Sequence, residues 1–423
     1  MNPPSHLARQ GAATDLSAAL RQGVSDLRQY VEAHNWAGYD PYDALNSRLL
    51  QRLGLLRCRL LRLAFTQFLK RCPLNFRPCL GVPREQNPKG MAVFLAAYAR
   101  LCKLGLVDET MVRRLAERLM ALRTPGRRHA CWGYNFAWQT RTYLVPRGTP
   151  NIICTTFAAN ALLDAHELVG EGAWLDAARS AGHFLLEGLN RTVEGDTLCF
   201  SYTPVDRSRV HNANLLGAAL LARLNTLQPE PAFEQAARAA TRYALRLQRA
   251  DGSWPYGEAA TQQWVDSFHT GYNLCALAVL GQSLALAECE AALDGGYRYY
   301  LEHFFAPGGV ARYFHNRTWP VDVHSIAQAL ITLTTLAGRD QRSLAVANEV
   351  VRWAFQHMRH PQGWFYYQKW PLWTNRVNYM RWSQAWMLLG LTALLQAHGA
   401  SGQTTVSQDR LVASIARGSA GER

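Results

Sequence analysis

One stretch gathers most of the residue types that do chemistry. Gln248 to Asn273 reads QRADGSWPYGEAATQQWVDSFHTGYN and holds Trp254, Tyr256, Glu258, Trp264, Asp266 and His269. A carboxylate just upstream of an imidazole can orient the ring, or act as a general acid or base itself. Glu258 offers a second carboxylate in the same loop. Two further histidines stand at corresponding places of neighbouring segments, His211 in HNANLLGAALLARL and His324 in HSIAQALITLTTL, and Asp322 precedes the latter. A lone histidine on such a face is usually structural; three in register point to proton transfer or ligand binding by at least one. Asp266, His269, Glu258, His324, Asp322 and His211 therefore form the candidate acid–base set, with Asp322 also readable as a plain cap or turn carboxylate.

Binding candidates surround them. Trp254, Tyr256, Trp264, Trp132, Tyr134 and Tyr202 offer flat faces for a sugar ring or an apolar chain. Asp40 and Tyr42 stand in the turn WAGYDPYDALNS. Arg141, Arg207, Arg209, Arg312, Arg317, Arg376 and Arg381 fall in or beside the same loops, where guanidinium forks suit carboxylates or phosphates. Arg376 and Arg381 are the expected substrate clamp. Neither HExxH nor a Cys/His ligand spacing occurs, so no metal and no cofactor is expected.

The positioning elements repeat. Thr155-Thr156, His211-Asn212, His269-Thr270, His324-Ser325 and Trp382-Ser383 each open an Ala/Leu-rich helical pattern, at steps of 56, 58, 55 and 58 residues. A less regular sixth member starts at Asn87. Thr156, Asn212, Thr270, Ser325 and Ser383 read as N-caps. Between successive members lies an amphipathic helix, and two helices per period make a hairpin that cannot bury its apolar face alone. The Ala-rich helices are apolar nearly all round and belong inside; their partners belong outside. Counting Ala44–Lys70 as the first outer helix gives six inner and six outer helices, an all-α (α/α)6 toroid over residues 15–400. The inner N-termini then share one mouth, lined by the aromatic loops. Residues 1–14 and 401–423 are expected to lack regular structure.

Composition narrows the class. Hydrophobic residues are 48% and charged residues 18%, enough for a large core. The net charge is +14, mostly from arginine and without a Lys/Arg run longer than two. Diffuse arginine fits an anionic glycan, an anionic membrane surface or simple solvation, and no nucleic-acid module appears. Nine scattered cysteines without a CxxC pair fit a reducing cytoplasm. No secretory signal or uninterrupted apolar run of about 20 residues is seen. A cytoplasmic protein is expected, with peripheral contact to membrane or glycan-assembly proteins.

The segments WAGYDPYDALNS, CWGYNFAWQTR, GTPNIICTTFAANALLDAHE and QRADGSWPYGE…WVDSFHTGYNL together resemble the VpsJ-like proteins, a bacterial family linked to exopolysaccharide biosynthesis. The resemblance runs from Trp36 to about Ala397. It implies a six-hairpin toroid encoded near glycan-assembly genes, and assigns no residue a role. QRADGSW also resembles the QW motif of squalene and prenyl cyclases, but it occurs cleanly once, and neither DDxxD nor DxDD is present. The same toroid serves glycoside hydrolases, uronate and sugar 2-epimerases and polysaccharide lyases. The expectation is a carbohydrate-active protein of polysaccharide biosynthesis, acting on an anionic glycan or sugar precursor by epimerase, lyase or hydrolase chemistry. The alternatives are a non-catalytic glycan-binding component and a terpenoid-cyclase-like enzyme.

Overall fold

The computed structural model describes residues 6–140 and 143–400, with side chains from residue 15. Arg141 and the expected unstructured tail at 401–423 lie outside the described residues, as do residues 1–5. The chain opens with α1 (His6–Ala33) and two shorter helices, α2 (Arg48–Arg52) and α3 (Arg59–Arg71). Five hairpins follow: α4 (Pro88–Lys103) with α5 (Glu109–Ala121), α6 (Ile152–Val169) with α7 (Gly172–His183), and α8 (His211–Leu227) with α9 (Pro231–Arg246). The last two pair α10 (Ser267–Leu284) with α11 (Ala287–His303) and α12 (Val323–Thr335) with α13 (Ser343–His357). A π-turn at Met380–Ala385 leads into α14 (386–400).

The even-numbered helices from α4 to α14 form the inner ring. Their Ala and Leu side chains are buried on almost every face, as an apolar helix enclosed on all sides requires. α6 is long and apolar enough to span a bilayer, yet here it is a core helix of the ring. Small residues bring the inner helices close: a Cβ on Gly390 of α14 would lie 2.8 Å from Ala327 O of α12. The ring closes where Arg100 Nη1 of α4 donates to Gln396 Oε1 of α14 at 2.8 Å. The fold is therefore a closed (α/α)6 toroid.

Three expectations are corrected. Residues 6–14, expected to lack regular structure, open the helix α1. The sixth outer helix is α1, not Ala44–Lys70. Leu16, Leu20, Val24, Leu27 and Val31 of α1 make a continuous buried stripe, whereas α3 buries Leu69 alone. Gly54, in the left-handed region at φ 68°, breaks the Ala44–Lys70 stretch into short pieces. The helix caps also lie upstream of the expected ones. Asn87, Asn151, Asp266 and Asp322 accept the backbone N–H groups of Gly90, Cys154, His269 and His324. Thr156, Asn212, Thr270, Ser325 and Ser383 lie inside the opening turns instead, and Thr270 Oγ1 donates to Asp266 O at 2.7 Å.

Candidate active site

A cavity of about 760 Å³ opens at the N-terminal end of the inner ring. Every inner helix contributes to its wall: Lys89 from α4, Ile153 from α6, Asn212 from α8, His269 and Tyr272 from α10, His324 from α12, and Arg381 and Trp382 from the turn into α14. Loops add aromatic faces. Tyr256 and Trp264 stack at 4.7 Å with planes 10° apart, and Tyr134 stacks on Phe136 at 5.0 Å and 9°. Tyr42 and Tyr202 also line the wall.

Asp266 and His269 form a dyad on this wall. Asp266 Oδ1 accepts the His269 backbone N–H at 2.9 Å, which starts α10 and fixes the carboxylate. Its Oδ2 lies 2.7 Å from His269 Nδ1 and accepts Trp264 Nε1–H at 3.0 Å. A carboxylate only accepts, so Nδ1 carries the ring proton and Nε2 is left as the basic nitrogen. Asp266 is fully buried, whereas 22% of the His269 side chain is accessible, facing the cavity beside the Tyr256 ring. This is the geometry of an oriented general base.

The second Asp–His pair is more deeply buried, with His324 on the cavity wall at 1% exposure and Asp322 behind it. Asp322 accepts the His324 backbone N–H at 2.8 Å, Trp382 Nε1–H at 2.9 Å and Gln368 Nε2–H at 2.7 Å. Burial lifts its carboxyl to about 6. The His324 ring meets the Tyr272 hydroxyl through Nε2 at 2.6 Å, and its Nδ1 has no partner among the described residues. Burial, with Lys89 and Arg381 nearby, holds this imidazole well below its usual range, so it stays neutral.

Lys89 is a charged cavity residue that sequence reasoning missed, as it missed the rings of Tyr272, Phe136 and Trp382. Lys89 sits in the first turn of α4, 5% exposed, with its ammonium over the Phe157, Trp386 and Tyr272 rings at 4.6, 5.2 and 5.5 Å. It has no hydrogen bond or ion pair with a described residue. Burial and then the Arg381 charge bring its amine down to about 7, so both protonation states are populated near neutrality. The available signal was scarcity: the chain has four lysines among its 45 basic residues.

Several expected site residues do other work. Trp132 and Trp254 are buried, and their indole N–H groups cap the ends of outer helices by donating to Leu119 O at 2.8 Å and Ala244 O at 2.9 Å. Glu258 is tied to Arg209 at 3.0 Å and to the Tyr243 hydroxyl, away from the cavity lining. His211 is buried outside the lining, and burial lowers it to about 4. Arg381 reaches the cavity, but Nε and Nη2 already grip Asp40 at 2.5 and 2.9 Å. Asp40 is thereby consumed as its partner. Arg376 is exposed against Tyr366 and does not line the cavity. Trp132, Trp254, Glu258, Arg381 and Asp40 each satisfy a nearby backbone or charged group, which their type alone does not reveal. Among the described residues no cluster of three His, Cys, Asp or Glu could hold a metal ion.

No protein-family model matches the chain, and no curated protein sequence matches it. Solved structures do share its fold. A possible GH105 family member from Klebsiella pneumoniae superposes with a TM-score of 0.59 at 14% identity, covering 94% of this chain and 96% of that one. Cellobiose 2-epimerase from Bacillus thermoamylovorans gives 0.57 at 9% identity, over 75% and 90% of the two chains. Unsaturated glucuronyl hydrolase from a Bacillus species, responsible for glycosaminoglycan degradation, gives 0.52 at 14% identity, over 74% and 88%. At these identities the likeness establishes the toroid.

Proposed function

We propose that the protein is a carbohydrate-active enzyme that moves a proton at a sugar carbon next to a carboxylate or carbonyl group, an epimerase-type reaction in bacterial polysaccharide biosynthesis. The observation that carries this reading is the Asp266–His269 dyad, whose imidazole, with Nδ1 held by Asp266, lines a cavity walled by stacked aromatic rings. His269 takes the proton, and Asp266 holds its tautomer and stabilises the imidazolium. Lys89 enters from α4, on the opposite side of the six-helix ring from α10. Its ammonium stabilises the oxygen that gains negative charge and can return a proton from the other face. An anionic sugar would also complete the charge of a buried cation that has no protein anion of its own.

Three lines support a sugar as the substrate: the aromatic walls, the motif resemblance to VpsJ-like proteins, and the carbohydrate enzymes among the solved chains of like fold. Hydrolysis is less well served. It requires two carboxylates about 5–10 Å apart across the bond. Of Glu258, Asp266, Asp322, Asp206, Asp40 and Asp43, only Asp206 lines the cavity. Its oxygens are already engaged by the backbone N–H groups of Tyr202, Thr203 and Ser208 and by two hydroxyls. A terpenoid cyclase is also less well served, because Lys89, Asn212 and His269 set polar groups into a wall that is otherwise mainly aromatic and apolar.

The test is a His269→Asn replacement in the producing bacterium, alongside Trp264→Ala. The expected result is altered polymer composition in the His269 variant, with glycan binding retained by the purified protein. Unchanged composition and output in His269→Asn cells, with output lost in Trp264→Ala cells, would sink the enzyme reading. The aromatic walls would then mark a glycan-binding component.

A further inference from the structure

The segment that fails to join the outer ring has a composition of its own. Residues 44–84 contain nine basic residues and no aspartate or glutamate, against a net charge of +14 for the whole chain. Arg48, Arg52, Arg57, Arg59, Arg71 and Arg84 are exposed, and none pairs with a described carboxylate. The same surface shows Leu49, Leu53, Leu60, Phe68, Leu74 and Phe76, which account for six of the fourteen exposed large apolar side chains of the described chain. Leu60 is 72% exposed and Leu74 64%. A seventh and an eighth, Leu372 at 96% and Trp373 at 41%, come from a loop that Asn375 ties to this segment by donating to Cys72 O at 3.2 Å.

We propose that α2, α3 and the adjoining 370–373 loop form a docking surface for a membrane rich in anionic phospholipid. Basic side chains gain from negative headgroups, and leucine, phenylalanine and tryptophan side chains beside them gain from the acyl boundary just below. A soluble polyanion would use the arginines and leave the apolar side chains in water, so the two features together select a bilayer. The placement also has a purpose for the cavity: Leu63, Thr66 and Gln67 of α3 are part of its wall. Docking on this face sets the cavity mouth at the lipid surface, where an acyl-linked glycan intermediate would present its sugar. The proposal stands apart from the proton-transfer reading, since it uses none of the dyad residues.

Co-sedimentation of the full chain with phosphatidylcholine vesicles, with and without phosphatidylglycerol, tests it. Partition onto the anionic vesicles is expected to exceed that onto the neutral ones by about tenfold or more. The Arg57→Glu/Arg59→Glu and Leu60→Ser/Leu74→Ser pairs are each expected to weaken it by about tenfold. All four positions are exposed, and thermal melts of the variants check that the fold is kept. Absence of vesicle binding, or variants that bind like the parent, would overturn the proposal. So would binding to heparin that matches vesicle binding and ignores the leucine changes, which would mark a polyanion site instead.

Discussion

Asp266 with His269 and Asp322 with His324 are the same two residue types at the same helix start, and they end in opposite states. The first pair is spaced by three residues, the second by two. With three, the capping carboxylate returns over the first turn and meets both the backbone N–H and the ring Nδ1 of the histidine. With two, it reaches the backbone N–H only, and the ring turns inward to Tyr272. Asp322 then satisfies Trp382 and Gln368, which bind the 365–385 segment to the mouth of α12. One residue of spacing thus separates an oriented base facing the cavity from a structural clasp.

Breaking each pair should give different phenotypes. Asp266→Asn keeps the cap but presents an amide N–H to Nδ1, which favours the wrong ring tautomer. Solvent-deuterium incorporation into substrate is expected to fall about 10²–10⁴-fold with little change in melting temperature. Asp322→Ala should do the reverse. Two buried N–H donors and a cap lose their acceptor, so denaturant titration is expected to show a loss of about 3 kcal/mol. If Asp322→Ala melts like the parent, the clasp role is wrong.

The next effect is one of pH. His211 and His324 have folded-state values below the unfolded 6.5, so the folded chain binds fewer protons than the unfolded one as pH falls from 6.5. The contribution of these two histidines is full above 6.5 and declines on acidification towards about 4 for His211, by about 1.4 kcal/mol per pH unit per histidine, while Asp322 and Asp43, both raised to about 6, act in the opposite direction below that pH. His324→Gln should shallow that slope in urea titrations between pH 6.5 and 5. A slope unchanged by the substitution would show that His324 is not held neutral. The smallest effect is expected of Trp264→Phe, which removes one donor from Asp266 but keeps the ring stack on Tyr256. The expected cost is about 1 kcal/mol in the proton-transfer rate, or about fivefold.

The toroid was legible because its signal repeats: an Ala/Leu helix with a polar start recurs at nearly constant spacing, and no single residue carries the reading. Ala44–Lys70 was misread for the same reason, since its leucine density mimics a core helix when the arginines between are taken as solvated. Burial is settled by partners far along the chain. The α1 stripe is buried by Phe355 of α13 and its neighbours, which pack on Gly23 some 330 residues away. Asp266, His269, Tyr256 and Trp264 were legible as a cluster because four chemistry-bearing residues share one short loop, and the structure brings them into contact. Trp132 and Trp254 looked identical to them on paper; only the carbonyls of Leu119 and Ala244 distinguish a helix clasp from a stacking face. Lys89 lies in no motif, and its character comes from the rings of three other helices.

The position of α1 has a consequence for synthesis. α1 bridges the seam of the ring: Tyr98 of α4 bonds Glu32 at 2.7 Å on one side, and Arg359 after α13 pairs with Asp26 on the other. The ribosome therefore releases α1 some 330 residues before the partner at Arg359 that covers its other side. At roughly 5–20 residues per second, α1 waits tens of seconds with its leucine stripe uncovered. The hairpins in between can stack as they emerge, but the ring cannot be sealed cotranslationally. Chaperone capture of nascent chains should concentrate on that waiting helix, and a stalled chain ending before α13 should remain an open, chaperone-bound arc.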